Sequence, residues 1–211
     1  MSITKLVFLA IVTIVFFNYF NNTDDNRYDG SLVLPINTKI LAFGDDITYG
    51  YGVDRNESYP SVLSSLLQNR VINAGKNSET TAEGLKRLPK LLKEHKPQIL
   101  IICEGENDLK RGRKYDEIEK NLAKMIELAQ KEKIFVVLIG APTVEYLRYN
   151  TVNLYYVLAK KYDILLDAET LAKILNNDKL KTDETHPNAK GYEILSNALA
   201  NSITANYTPT F

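Results

Sequence analysis

Short apolar segments alternate with amphipathic ones from Lys39 onward. The apolar segments have the length of β-strands and contain few polar residues, which is typical of strands that are buried on both faces. They lie at Ile40–Phe43, Val71–Ile72, Ile99–Cys103, Phe135–Ile139 and Ile164–Leu166. This pattern predicts five strands of one parallel sheet.

Between the strands, apolar residues recur with the spacing of helices. One such stripe consists of Ile118, Leu122, Met125, Ile126 and Ala129, and a further helix is expected within Glu145–Tyr162. Alternation of strands and helices predicts an α/β fold, a three-layer α/β/α sandwich with the strand order of flavodoxin. In such a sheet, ligands bind beyond the carboxyl ends of the strands.

The first 20 residues differ from the rest of the chain. Lys5 precedes Leu6–Phe17, a run without charge in which only Thr13 is polar. This pattern predicts a signal-anchor or a signal peptide over residues 1–20. Asn18–Asn22 is a poor cleavage site, so a retained anchor that displays the domain outside the cytoplasmic membrane is favoured over secretion after cleavage. Residues 21–37 are polar and predict a linker, which leaves 38–206 as the folded domain.

Composition argues against a nucleic-acid-binding protein and against an internal disulfide. Lys and Arg together number 26, as do Asp and Glu, so the formal net charge is zero and no basic surface for nucleic acid is expected. Cys103 is the only cysteine, which excludes an internal disulfide, and its place in an apolar strand predicts a buried, inert thiol.

Polar residues follow the predicted strands in four blocks. In chain order these are Gly44-Asp45-Asp46-Ile47-Thr48, Asn73-Ala74-Gly75, Gly105-Glu106-Asn107-Asp108 and Asp183-Glu184-Thr185-His186. Their order and spacing resemble those of the SGNH (GDSL) hydrolases, in the branch of thioesterases, arylesterases and lysophospholipases. The similarity extends from about Lys39 to Tyr192. It implies hydrolysis of acyl esters or lipid-like small molecules without a metal or another cofactor.

The resemblance also implies roles for single residues. His186 would be the general base, and Asp183 would accept a hydrogen bond from its other ring nitrogen. Gly75 through its backbone N–H and Asn107 through its amide would form the oxyanion hole. The catalytic position of the first block, where the family carries serine, is Asp46.

A carboxylate at position 46 leaves three functions open. The domain could be a degenerate family member that binds a ligand without turning it over. Asp46 could attack saturated carbon and form an ester that water, activated by His186, then cleaves. Asp46 could also act as a general base for water. We expect low activity on simple esters in the first case, which we favour.

A receiver-like domain is the alternative from another class. Such domains share the doubly wound sheet and carry two acidic residues after the first strand, as Asp45 and Asp46 do here. They also need an aspartate at the end of the third strand and a lysine after the fifth. Asp108 comes too late for the first role and Asp167 stands in place of the second, so the pattern disfavours this function.

Overall fold

A computed structural model describes residues 34–209 of the 211-residue chain. Its main sheet has five parallel strands in the spatial order β2-β1-β3-β4-β7. The strands are β1 (Ile40–Gly44), β2 (Val71–Gly75), β3 (Ile99–Cys103), β4 (Phe135–Ile139) and β7 (Leu165–Asp167). The predicted fold class and the flavodoxin-like strand order are therefore confirmed.

Helices cover both faces of this sheet. They are α1 (Asp46–Tyr49), α2 (Tyr59–Leu67), α3 (Thr81–His95), α4 (Glu106–Lys110), α5 (Tyr115–Lys131), α6 (Asn153–Tyr162), α7 (Thr170–Leu175) and α8 (Ala189–Asn206). Short 3-10 turns lie at Arg55–Glu57 and Asp178–Leu180.

The core is divided by the sheet because successive side chains of a strand point to opposite faces. In β1, Ile40 and Ala42 pack with residues of α2, α7 and α8, whereas Leu41 and Phe43 pack with residues of α3, α5 and α6. The predicted face of α5 is fully buried on the second side. Burial of apolar surface on both sides fixes the strands, and so fixes the positions of the loops at their carboxyl ends.

A two-stranded hairpin departs from the predicted pattern. Strands β5 (Pro142–Glu145) and β6 (Arg148–Thr151) pair antiparallel, and only the second half of the segment predicted as helical, Asn153–Tyr162, is a helix. The first half of that segment includes Tyr149, and β-structure favours aromatic residues.

The predicted anchor, residues 1–20, lies outside the described residues, as does most of the predicted linker. At the end of that linker, Leu34 is only 4% exposed and belongs to the core, whereas Ile36 is 90% exposed. The packed domain thus begins a few residues before the predicted boundary at residue 38. Within residues 34–209, no helix has the length and hydropathy needed to cross a membrane.

Candidate active site

Asp46 lies where β1 turns sharply into α1. The carboxylate of Asp45 accepts a hydrogen bond from the N–H of Ile47 at 3.3 Å and so caps the helix. Gly50 ends this single-turn helix in the left-handed conformation. The turn places Asp46 at the carboxyl edge of the sheet, where its side chain is nearly buried.

Two hydrogen-bond donors from different loops meet at the Asp46 carboxylate. Asn107, at the start of α4, donates from Nδ2 to Asp46 Oδ2 at 2.6 Å. The backbone N–H of Ser78 lies 3.1 Å from both carboxylate oxygens. Hydrogen bonds to an ionised acceptor are shorter and stronger than neutral ones, as the 2.6 Å contact illustrates. The site therefore holds a negative charge with an amide and a backbone N–H.

Gly75, the predicted backbone donor, is not directed at Asp46. Its N–H donates to Asn73 Oδ1 at 2.9 Å, because Gly75 is still the last residue of β2 and pairs with Gly44. The donor comes instead from Ser78, three residues later, in the turn before α3. Ser78 has a φ of 60°, a conformation that glycine adopts more easily than serine. No glycine marks this position in the sequence, so its role was missed.

An arginine stabilises the turn that presents Ser78. Arg87 Nε lies 2.8 and 2.6 Å from the two carboxylate oxygens of Glu79, which is buried next to Ser78. The same guanidinium stacks on the ring of Phe43 and donates to the carbonyl of Gly44. Arg87 thus links the turn that contains Ser78 and Glu79, here called the donor turn, to the end of β1. These contacts help to fix the position of Ser78 relative to Asp46.

Asp183 and His186 form a close pair on the loop before α8. His186 Nδ1 lies 2.9 and 2.8 Å from the two oxygens of Asp183. The ring of Tyr51 covers the imidazole, with 4.3 Å between ring centroids. The Nε2 atom of His186 is buried, and it has no hydrogen-bond partner within residues 34–209. The pair has the geometry of an oriented general base whose free nitrogen bonds to neither Asp46 nor another described group.

Comparisons with known proteins agree with this geometry. Residues 42–194 match the model of the GDSL-like lipase/acylhydrolase family. The chain belongs to this family. It is 30% identical to an arylesterase of Vibrio mimicus over 175 residues, which cover 78% of this chain and 88% of the relative. It is 28% identical to thioesterase 1/protease 1/lysophospholipase L1 of Escherichia coli over 171 residues, which cover 78% and 82%.

Solved structures show the same fold. The esterase EstA of Pseudoalteromonas superposes on this GDSL-family chain with a TM-score of 0.71 at 21% identity, covering 80% of this chain and 98% of EstA. Homologues of the chain are thus esterases and thioesterases.

Beneath the site, the GDSL-family fold buries the carboxyl groups of Asp45, Glu104 and Glu106, and sequence reasoning assigned no role to the two glutamates. Burial, and then the charge of Glu106, raises the pKa of Asp45 well above its usual value. Burial, and then the charge of Asp45, does the same to the pKa of Glu104. Burial raises the pKa of Glu106 above its usual value. The charges of Lys110 and His186 act to lower this pKa, and the charge of Asp46 acts to raise it. Glu106 therefore lies near both halves of the site.

Within the described range 34–209, no group of three or more His, Cys, Asp or Glu side chains is arranged to hold a metal ion. The acidic pair after β1 also diverges, because the Asp45 carboxylate caps α1 while that of Asp46 turns to Asn107. This divergence further disfavours a receiver-like cation site. Cys103 is buried, as expected, and burial raises the pKa of its thiol well above the usual value.

Proposed function

We propose that this GDSL-family chain binds acyl esters or lipid-like esters and hydrolyses simple esters slowly, because Asp46 occupies the position of the nucleophile. One observation carries the proposal. The donors that would stabilise an oxyanion, the Asn107 amide and the Ser78 N–H, both donate to the Asp46 carboxylate.

An oxyanion hole accelerates acyl transfer because its donors are aimed at charge that develops only in the transition state. A resident carboxylate satisfies those donors in the ground state. A substrate carbonyl oxygen would have to displace a negative charge that is already held at 2.6 Å by Asn107. The donors then give no differential stabilisation of the transition state, and differential stabilisation is what raises the rate.

The chemistry of a carboxylate nucleophile points the same way. Attack of Asp46 on an ester carbonyl would form an acid anhydride, which is less stable than the ester that a serine forms. The general base has no proton to remove from a carboxylate. The lack of a described hydrogen-bond partner for His186 Nε2 is consistent with a base that acyl transfer does not use.

Restoring a hydroxyl tests the proposal. The Asp46→Ser variant should raise kcat/KM on p-nitrophenyl butyrate by roughly 10²–10⁴-fold, the usual contribution of a positioned general base. Asp46→Asn is the matched control, since it removes the charge and offers no nucleophile, and it should show no such gain. Equal activity of wild type and Asp46→Ser would refute the proposal.

The intact Asp183–His186 pair favours one second candidate. Asp46 could attack a saturated carbon, forming a C–O bond as the leaving group departs with the electrons of its own bond. Water deprotonated by His186 would then attack the carbonyl of the resulting Asp46 ester. The bond between that carbonyl carbon and the alkyl oxygen would break, the alcohol would take the proton back from His186, and the Asp46 carboxylate would be regenerated. Asn107 and Ser78 both lie within hydrogen-bond distance of Asp46 Oδ2, which would be the carbonyl oxygen in that step if Oδ1 is the attacking atom. Alkyl halides test this route. The wild-type protein should hydrolyse them, whereas His186→Asn should accumulate a covalent alkyl adduct on Asp46 that mass spectrometry detects.

We also propose that the domain acts outside the cytoplasmic membrane, held there by residues 1–20. The support is the uncharged run Leu6–Phe17. Fractionation of cells that express the full chain should find it in the membrane pellet after alkaline extraction, whereas a chain without residues 1–20 should be in the supernatant. Recovery of both in the supernatant would contradict this proposal.

A further inference from the structure

The hairpin formed by β5 and β6 ends in two apolar side chains that touch almost nothing. Tyr146 is 98% exposed and Leu147 is 97% exposed. Glu145 pairs with Arg148, so the loop between the strands consists of these two residues alone. Both have positive φ, 50° for Tyr146 and 64° for Leu147, as in a type I′ turn.

Folding of the hairpin does not explain these side chains. Two-residue turns of this type favour Asn-Gly, because positive φ strains residues that carry a bulky side chain. Tyr146 and Leu147 both have this strained conformation. Because both side chains are almost fully exposed, burial of their apolar surface contributes little free energy to offset the strain. Two exposed apolar side chains are not in themselves unusual on a soluble surface, but these two are held in a strained turn that packing does not stabilise. The use of this tip therefore lies outside the domain.

The hairpin stands at the same edge of the sheet as the candidate active site. Strand β5 packs against α4, the helix that presents Asn107. Tyr149 of β6 donates from its hydroxyl to the carbonyl of Glu184 at 2.6 Å, within the loop that carries Asp183 and His186. The tip thus projects beside the opening of the site.

A basic segment follows α4 at this edge. It contains Lys110, Arg111, Arg113 and Lys114 within five consecutive residues, all of them exposed. Of these four side chains only Lys110 forms an ion pair within residues 34–209, with Glu106 at 3.0 Å, and Arg111 donates to the carbonyl of Ser78 at 2.8 Å. The edge with the active site therefore combines an apolar protrusion with a short basic segment, which the exposed Asp116 and Glu117 follow at the start of α5.

We propose that this edge binds the surface of an anionic lipid bilayer, with Tyr146 and Leu147 inserted among the acyl chains and the Lys110–Lys114 segment at the headgroups. Insertion of apolar side chains together with attraction of basic residues to anionic lipids is a general mode of peripheral membrane binding. Bound in this way, the candidate site faces lipids in the bilayer. The inference goes beyond the proposed function and does not depend on whether Asp46 supports turnover, because it concerns binding.

The chain contains no tryptophan, so a single introduced tryptophan reports on its own surroundings. We would compare full-length Leu147→Trp with Ile36→Trp, which places the probe at an exposed position near the opposite edge of the sheet. With vesicles of equimolar phosphatidylglycerol and phosphatidylcholine that carry a brominated acyl chain, Leu147→Trp should shift to the blue and be quenched several-fold more than Ile36→Trp. The full chain is used so that residues 1–33 contribute equally to both variants.

The proposal is overturned if Leu147→Trp is not quenched, or if Ile36→Trp is quenched as strongly. It is also overturned if the emission of Leu147→Trp changes with protein concentration in the absence of lipid, which would identify a second copy of the chain as the partner. High salt should weaken the quenching of Leu147→Trp, since it screens the basic segment.

A second variant separates binding from folding. Tyr146→Asn combined with Leu147→Gly supplies the preferred turn residues, so its Tm should rise. Its excess binding to anionic vesicles over vesicles of phosphatidylcholine alone, the part that residues 1–20 do not supply, should fall several-fold. Arg113→Gln should weaken vesicle binding without raising the Tm. Unchanged vesicle binding by the double variant would overturn the proposal even if the Tm rises.

Discussion

The two halves of the candidate site differ in how their hydrogen bonds are used. On the side of Asp46, the carboxylate is held by Asn107 and Ser78. On the side of His186, the ring is oriented by Asp183, but Nε2 has no hydrogen-bond partner in the described part of the chain. The carboxylate of Asp46 therefore has its hydrogen-bond partners within the protein, whereas Nε2 of His186 has none among the described residues. An oriented histidine and a carboxylate that already accepts two hydrogen bonds thus lie at one edge of the same sheet, and the proposed function depends on this difference.

The largest expected effect tests whether His186 can act as a general base for a hydroxyl at position 46. Substituting His186→Ala in an Asp46→Ser background should lower kcat/KM on p-nitrophenyl butyrate by roughly 10³-fold, because the hydroxyl loses its proton acceptor. The same substitution in the wild-type chain should change ester turnover little. A large loss in the wild type would mean that His186 already serves ester hydrolysis there.

The next effect concerns the support of the donor turn. Arg87→Ala leaves the buried carboxylate of Glu79 with only the exposed Lys76 as an ionic partner, so the free energy of unfolding should fall by about 3 kcal/mol. Lys76→Ala is the matched control: Lys76 is exposed and lies 3.4 Å from the same carboxylate, so its loss should cost less than about 1 kcal/mol. Urea denaturation measures both, and equal effects would show that Arg87 does not stabilise the turn.

A smaller effect measures how strongly Asp46 is held. Asn107→Ala should lower the free energy of unfolding by about 2 kcal/mol, since it removes a short hydrogen bond to a charged acceptor. In an Asp46→Ser background the same change should cost about 1 kcal/mol, as the acceptor is then neutral. A double-mutant cycle gives the coupling between the two side chains. No coupling would mean that the Asp46–Asn107 contact contributes nothing to stability.

The smallest effect is in the pH dependence of stability. Burial raises the pKa of Glu104 above its ordinary value of 4.5, so above that pH the folded state binds more protons than the unfolded state. The free energy of unfolding of the wild type should therefore decrease as the pH rises from 5 to 8. Glu104→Gln should make this decrease shallower, as measured by urea denaturation across that range. An unchanged slope would show that Glu104 titrates normally.

Sequence alone predicted the fold well where periodicity was unambiguous. Strands β3 and β4 match their predicted bounds, because uninterrupted apolar runs leave little choice of structure. The hairpin was missed because its tip is Tyr146-Leu147, and no Asn-Gly pair marks the turn.

In the site, it was easier to predict which residues lie close together than which backbone N–H points at Asp46. Asp46, Asn107 and the Asp183–His186 pair follow strands or precede a helix at one edge, so topology gathers them there. Which N–H points at Asp46 depends on the backbone of the turn after β2. Ser78 adopts positive φ there, and a serine does not reveal this in the sequence.

The Asp46 carboxylate also ties three chain segments together, since it joins the start of α1 to the turn at Ser78 and to α4 through Asn107. A serine in its place would be shorter and uncharged, and would hold these segments less firmly. Catalysis and rigidity therefore oppose each other at this residue. If the proposed function is correct, Asp46→Ser should gain ester turnover and lose stability together.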